Sequence, residues 1–123
     1  MPRNMSFALT TDQIRNRTKT VTRRTGWQFL NHGDVLNACV KCMGLKPGEK
    51  IERLGRIRVV AVWREALSLI RWEPSGTARE GFPEMSPNEF LAMFCGHMGG
   101  HENQIVTRIE FEYLDAEEAR NAG

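Results

Sequence analysis

The feature that most constrains this chain is a run of strand-type residues from Ile51 to Ala66, with β-branched and aromatic side chains at its centre. A second run, from Val35 to Met43, precedes it and alternates between two faces. The segment Lys46–Glu49 between them contains Pro followed by Gly, which is typical of a tight turn. The two runs are therefore predicted to pair as a β-hairpin within a sheet.

The other segments predict further strands and short helices around this hairpin. The expected strands are Ser6–Leu9, Lys19–Arg24 and Ile105–Leu114; the expected helices are a short one capped by Thr10 or Thr11, Leu67–Trp72, Thr77–Gly81, and one that begins with the capping signal Ser86, Pro87 and Glu89 and stops near Gly99. Because most strands are sequential neighbours, we expect a mostly antiparallel sheet. A twisted sheet of five or six strands tends to curl into a barrel without edges, so the predicted fold class is α+β, a small β-barrel flanked by short helices.

The length of 123 residues suits one domain, which we place at residues 1–115, with a polar tail at residues 116–123. No apolar run approaches the ~20 residues that a membrane span needs. The first residues lead into a mixed segment without the apolar stretch of a secretory signal. We therefore expect a cytoplasmic protein without a membrane partner, and the sequence leaves its oligomeric state open.

Basic residues are concentrated near the start of the chain, although the net charge is only +2. Six of them lie between Arg3 and Arg24, with Asp12 as the one acid. The segment Arg15–Arg24 is dense in Arg, Lys and Thr, which can hold phosphate groups. It is predicted to bind a polyanion such as RNA, and the alternative is an exposed edge strand, where Lys and Thr are common.

A metal site is the other motif that the sequence offers. Its candidate ligands are Cys39, Cys42, Cys95, His97 and His101. A regular strand sends the first two thiols to opposite faces, and a helix separates Cys95 from His97 by about 200° at ~100° per residue. Buried free cysteines are the commoner explanation, so we predict no metal and no cofactor.

The segment Arg15–Arg24 resembles the signature of the ASCH domain family, in which a helix ends in Gly-x-Lys-Thr before alternating residues and an Arg. Further matches follow in order along nearly the whole chain, at Gly33–Leu36, Arg56–Val60, Ala78–Phe82 and Ile109–Phe111. One departure is Arg17, where the family has a Gly that ends the helix with positive φ. Either Arg17 adopts a costly backbone conformation or the turn differs.

This resemblance implies a PUA-like barrel with a cleft for RNA or a modified nucleoside. Some small bacterial members are metal-independent amidohydrolases that remove the acetyl group of N4-acetylcytidine, using a Lys, a Thr three residues later and a distant Glu. Carried over by motif, these roles fall on Lys19, Thr22 and Glu80. Other members are ribonucleases or RNA-binding regulators, and both alternatives stay open here.

The implied chemistry is physically reasonable. A Thr22 hydroxyl needs a base to take its proton, and Lys19 can be that base if burial or a nearby cation lowers its pKa. Glu80 could orient Lys19, bind the cytidine amino edge or protonate the leaving amine. Residues three apart face opposite ways on a straight strand, so Lys19 and Thr22 cooperate only if the strand bends or Lys19 lies at the helix end. The alternative is a surface salt bridge between Lys19 and Glu80, with Thr22 as an ordinary strand residue.

Binding of the substrate or RNA is expected to involve further residues of the same motifs. Arg15, Arg23 and Arg24 offer donors to phosphate or carbonyl oxygens. Trp27 and Phe82 are predicted to stack on a base, since Trp27 follows the first motif directly and Phe82 lies two residues after Glu80. The alternative for both aromatic side chains is that they fill the core.

Overall fold

The computed structural model describes residues 2–42 and 44–121. They form one five-stranded sheet in the order β1-β3-β4-β5-β2. The strands are β1 Arg3–Ser6, β2 Val21–Arg24, β3 Val35–Cys39, β4 Arg53–Ala66 and β5 Ile105–Tyr113. All neighbours run antiparallel except β1 and β3, which are parallel. The predicted hairpin is confirmed as the pair β3 and β4, and the sheet is mostly antiparallel as expected.

Short helices complete an α+β domain. They are α1 Thr11–Arg15, α2 Gly76–Arg79, α3 Pro87–Met98 and α4 Ala116–Asn121, with 3₁₀ segments at Ala8–Thr10 and Leu67–Trp72. The predicted start of α3 is confirmed, because Ser86 Oγ accepts from the Glu89 N–H at 3.1 Å and the Glu89 carboxylate accepts from the Ser86 N–H at 2.9 Å. None of the helices in the described part of the chain has the length and apolar character to cross a membrane. The tail expected at residues 116–123 contains α4, and its last two residues lie outside the described ones.

Two strand predictions were wrong in their bounds by more than two residues, at Ser6–Leu9 and Val35–Met43, whereas the strands predicted from Lys19 and Ile51 begin two residues later, at Val21 and Arg53. The opening strand is β1, and the predicted Ser6–Leu9 instead leaves the sheet after Phe7, whose N–H donates to Cys39 O at 2.8 Å. Strand β3 ends at Cys39 because its register with β4 shifts between Ala38 and Cys39, which interrupts the ladder. Met43, the last residue of the predicted second strand, lies outside the described residues.

The sheet curls but does not close, so the predicted closed barrel is wrong. Among the described residues, β1 and β2 are edges that pair with one neighbour each. A register shift between Val59 and Ala61 adds to the curl of β4. The two edges approach through side chains, since the Arg24 guanidinium carbon lies 4.7 Å from the centre of the Phe7 ring. A half-barrel with a gap between its edges is the result.

Two apolar clusters hold the domain together. The larger lies inside the curl of the sheet and includes Met5, Phe7, Leu36, Ile57, Val59, Ile109 and Phe111. The smaller packs the 3₁₀ segment Leu67–Trp72 and α3 against the start of β5 through Leu67, Ile70, Phe90, Leu91, Phe94 and Val106. The gap between the sheet edges lies beside the second cluster, which positions the candidate site.

Candidate active site

A half-open cleft of about 210 Å³ occupies the gap between the two edges. This is many times the roughly 10–15 Å³ that a single water needs, so the cleft has room for a small organic ligand. One wall comes from the chain after β1, the floor from β2 and α2, and the other wall from α3. The polar lining includes Lys19, Thr22, Arg23, Arg24 and Glu80, and the apolar lining includes Phe7, Phe82, Phe90, Met93 and Phe94.

The centre of the cleft is a buried ionic group. Lys19 Nζ donates to Glu80 Oε1 at 2.9 Å and to the Glu80 backbone carbonyl at 2.6 Å. Arg23 Nη1 donates to the second carboxylate oxygen, Oε2, at 3.0 Å. Lys19, Arg23 and Glu80 are each no more than 3% exposed. The contact between Lys19 and Glu80 is therefore a buried ion pair, and the predicted surface salt bridge was wrong.

Lys19 reaches this site because it precedes the strand. The N–H groups of Thr18 and Lys19 donate to Gln13 O, at 3.0 and 3.3 Å, so the chain is still attached to the end of α1. The ladder of β2 begins only at Val21. The alternation that would separate residues three apart does not apply across this boundary. Lys19 and Thr22 consequently line the same cleft, because Lys19 lies at the end of the helix and not within the strand.

The turn that delivers Lys19 is made by Arg17 in a left-handed conformation, with φ 62°. Of the two possibilities left by the missing Gly, the chain adopts the costly backbone state. The Arg17 guanidinium carbon lies 5.5 Å from the centre of the Tyr113 ring, and this contact offsets part of the cost. Tyr113 also donates its hydroxyl to Lys19 O. The turn is thus held from both ends against β5.

Glu80 is fixed by the end of α2 and by the turn after it. The Thr20 N–H donates to Arg79 O at 2.8 Å, which joins α2 to the start of β2. Gln13 Nε2 donates to Gly81 O at 3.1 Å. Gly81 has φ 100°, and a Cβ there would lie 3.0 Å from Gln13 Cγ, so only glycine fits. The carboxylate and the ammonium are therefore brought together by hydrogen bonds to the backbone carbonyls of Arg79 and Gly81 from a segment far away in sequence.

Burial lowers the pKa of Lys19 below its ordinary value, because the surrounding protein solvates the ammonium poorly. The Glu80 carboxylate opposes this shift, and the positive charges of Arg24 and Arg23 add to it. A lysine with a lowered pKa is more readily neutral, and neutral amine is the form that can take a proton from a hydroxyl.

A second layer of charges lies behind the first, and sequence reasoning missed it. Glu73 Oε1 accepts from Arg23 Nη2 and from Arg108 Nε, both at 2.8 Å. Burial favours the neutral form of Glu73, but the bond from Arg108 and the charges of Arg23, Arg108 and Arg79 lower its pKa overall. In the part of the chain that the structure describes, Arg23 Nε, Glu73 Oε2 and Arg108 Nη1 are buried without a hydrogen-bond partner. Glu73 stands in a turn motif, and no local signal links it to arginines 50 and 35 residues away.

Thr22 and Arg24 form the end of the cleft nearest to Phe7. Arg24 Nε donates to Thr22 Oγ1 at 3.0 Å. In the described structure the Thr22 hydroxyl donates no hydrogen bond, which leaves its proton available. Burial lowers the pKa of Arg24 to about 10, with Glu80 and Cys42 opposing the shift. The guanidinium is still charged at neutral pH.

Two of the expected binding residues lie elsewhere. Arg15 is exposed and pairs with Glu52 and Asp12. Trp27 packs against the larger apolar cluster, and its ring lies 5.4 Å from that of Phe29. Neither contributes to the cleft lining. Phe82 does line the cleft, beside Phe90.

The candidate metal ligands do not assemble into a site. Within residues 2–42 and 44–121, no group of three or more His, Cys, Asp or Glu side chains is placed to hold a metal ion. Cys39 is buried, and this burial, with the neighbouring Cys42, raises its pKa to about 11. Such a thiol is a poor source of thiolate at neutral pH. His97 belongs to the lining of the cleft.

The protein is thus a small α+β domain whose open, curled sheet carries a cleft between its two edge strands. No family model matches the chain, and no curated protein matches its sequence significantly. A crystal structure of a protein from Enterococcus faecalis V583, described by the family model DUF984, is similar with a TM-score of 0.66. The similarity covers 94% of this chain and 81% of that one at 15% identity. At this identity the two proteins share a fold.

Proposed function

We propose that the protein is a metal-independent amidohydrolase that removes the acetyl group of an N4-acetylated cytidine. One observation carries the proposal: Lys19, Thr22 and Glu80, which the ASCH resemblance selects, are buried side chains that line one half-open cleft. They come from two segments about 60 residues apart. Aromatic and Met side chains of α3 and Phe82 provide the apolar surface on which a pyrimidine ring can lie.

Thr22 is the nucleophile in this proposal, and neutral Lys19 takes its proton. The Thr22 oxygen bonds to the acyl carbon, and the acyl C–N bond then breaks. The N4 nitrogen leaves with the proton from Lys19, which releases cytidine and leaves an acyl-threonine. Water then attacks the acyl carbon of this ester while Lys19 takes its proton. The bond between the acyl carbon and Thr22 Oγ1 breaks, Oγ1 takes the proton back from Lys19, and the acetyl group leaves as acetic acid, which ionises to acetate.

Glu80 acts in this proposal by orienting Lys19 and by accepting a hydrogen bond from the substrate N4–H. The contacts favour this role over that of an acid, because both carboxylate oxygens already accept hydrogen bonds from cations. Arg23 supports Glu80 from behind and is in turn held by Glu73. The ionic layers thus fix the base without occupying the open side of the cleft.

The test is to incubate the purified protein with N4-acetylcytidine and to measure released cytidine by liquid chromatography. Thr22→Ala and Lys19→Ala are each expected to lower kcat/KM by about 10³ or more, since nucleophile and base act as one unit. Thr20→Ala and Lys46→Ala are matched controls, because neither side chain lines the cleft, and they should retain activity. Folded protein that releases no cytidine, or a fully active Lys19→Ala variant, would contradict the proposal.

The second candidate is an RNA-binding module without chemistry. It is favoured by Arg15 and Arg17, which are exposed on the segment that leads into the cleft. This candidate predicts RNA affinity that falls steeply with salt and survives Glu80→Gln. A ribonuclease is distinguished in the same experiment, because a fluorescent RNA would then be cut and the cleavage would be lost in Lys19→Ala.

A further inference from the structure

Arg24 differs from the other cations of the cleft in having no carboxylate partner. Lys19 and Arg23 both pair with Glu80, at 2.9 and 3.0 Å. Arg23 also pairs with Glu73 at 2.8 Å. Among residues 2–42 and 44–121, no carboxylate oxygen lies within 4.0 Å of an Arg24 nitrogen. The cleft therefore contains one guanidinium that no carboxylate of the described residues contacts directly, although Glu80 lies near enough to favour its charged form.

The contacts of Arg24 fix its guanidinium group but leave part of it free. Its Nε donates to Thr22 Oγ1 at 3.0 Å, and its central carbon lies over the Phe7 ring, 4.7 Å from the ring centre. The two Nη groups make no hydrogen bond with any described residue. Burying donors of a cation without acceptors is costly, so an oxygen acceptor is expected when the cleft is filled.

The Nε–H and the adjacent Nη–H groups of the Arg24 guanidinium lie side by side on one edge, so together they can donate to two oxygens that are bonded to the same carbon. Arg binds a carboxylate by donating from neighbouring nitrogens to both of its oxygens. In Arg24 the first donor of that edge, Nε, already faces Thr22 Oγ1. A second oxygen on a carbon bonded to Oγ1 would fall opposite the adjacent Nη group.

We propose that Arg24 is the oxyanion-binding residue of the cleft, and that its free Nη group receives the negatively charged oxygen formed next to Thr22. This inference rests on the proposed amide hydrolysis. When Thr22 Oγ1 bonds to the acyl carbon, the π electrons of the carbonyl move onto its oxygen. Arg24 then holds Oγ1 and this oxyanion together, as it would hold a carboxylate. After hydrolysis, the carboxylate of the released acid occupies the same edge.

Kinetics of Arg24 variants on N4-acetylcytidine provide the first test. Arg24→Gln is expected to lower kcat by about 10²–10³ with little change in KM, because the interaction forms only in the transition state. Arg24→Lys keeps a charge but loses the paired donors, and it should recover only part of the loss. Arg53→Gln removes the same charge from an exposed position outside the cleft lining and should match the wild type. A raised KM with unchanged kcat in Arg24→Gln would make Arg24 a ground-state anchor and overturn the proposal.

Binding of acetate and of inorganic phosphate separates this proposal from the proposed function. The ¹H–¹⁵N signal of the Arg24 Nε–H group is followed by NMR as each ion is added. We expect saturable shifts with acetate in the wild type and in Arg53→Gln. In Arg24→Gln, which lacks this side-chain signal, the backbone N–H signal of Thr22 is followed instead, and we expect no saturable shift. Phosphate binding tighter than acetate would overturn the carboxylate match. Acetate binding at Arg24 without turnover of any acylated cytidine would support an anion site and reject the hydrolase. Turnover without acetate binding, and with a fully active Arg24→Gln variant, would support the hydrolase and reject Arg24 as the oxyanion-binding residue.

Discussion

Two stretches of the chain contain the same number of basic residues but place them differently. Residues 3–24 contain six Arg and Lys, and residues 41–58 contain six more. In the first stretch Lys19 and Arg23 are buried and Arg24 is half-buried, whereas in the second every basic side chain is exposed or half-buried. The number of basic residues in a stretch therefore does not predict whether they are buried. Their burial depends on the elements that pack against the stretch.

The difference arises from what lies opposite each stretch. The first passes from α1 into β2, whose side chains meet Glu80 and Glu73 from the region of α2. The second forms a turn and the start of β4, where Lys41 meets Glu49 in an exposed pair at 3.6 Å. The carboxylates of Glu80 and Glu73, which come from a distant part of the chain, hold the cations Lys19 and Arg23 of the first stretch together in one cluster.

The largest effect on stability is expected for Glu80→Gln. It leaves Lys19 and Arg23 buried with one compensating charge fewer, and breaking such a pair costs about 3–5 kcal/mol. The free energy of unfolding in urea measures the loss. Glu49→Gln is the matched control in the second stretch, where we expect no measurable change because that pair is exposed. Equal effects in both variants would remove the contrast between the stretches.

Glu73→Gln is expected to cost somewhat less, about 2–3 kcal/mol, because Glu73 is partly exposed behind the first ionic layer. The pKa of Glu73 in the folded protein lies below its ordinary value of 4.5. Its contribution is therefore complete above pH 4.5 and is lost as pH falls through the folded pKa. Thermal melts at several pH values should show wild type and variant converging under acid. A constant gap across that range would contradict the lowered pKa.

The smallest effect concerns the turn at Arg17. Replacing a left-handed non-glycine residue by Gly removes backbone strain, but here it also removes the contact with Tyr113, so Arg17→Gly should stabilise by about 0.5 kcal/mol. The converse change in the second stretch is Gly48→Ala, at φ 81°, which should destabilise by about 1 kcal/mol. Urea midpoints measure both. A destabilised Arg17→Gly would show that the aromatic contact outweighs the strain.

Local signals in the sequence predicted the elements that local interactions build. The capping residues at Ser86 and Glu89 gave the start of α3, and the turn near Pro47 gave the β3–β4 pairing. The strand bounds at Ser6–Leu9 failed because β1 pairs parallel with β3, more than 30 residues away. The prediction of a closed barrel was wrong for a similar reason. The curl of the sheet depends on register shifts between paired strands, and no residue type in the sequence indicates where these occur.

The candidate site was partly accessible from the sequence. Motif order selected Lys19, Thr22 and Glu80, and they line one cleft, although their roles stay predictions. The same reasoning placed Trp27 there because it follows the motif, yet Trp27 is partly buried against the larger apolar cluster and does not line the cleft. Glu73 was missed because its importance comes from partners that only the folded chain brings near.

The short edges of the open sheet also affect how copies of the chain meet. Strands β1 and β2 contain four residues each, so each edge offers few free backbone groups to an incoming strand. Three of the four β2 side chains are buried, which leaves little of that strand for a flat new pairing. The edge strands of an open sheet can pair with strands of other copies of the chain. Here the short length of β1 and β2 limits such pairing.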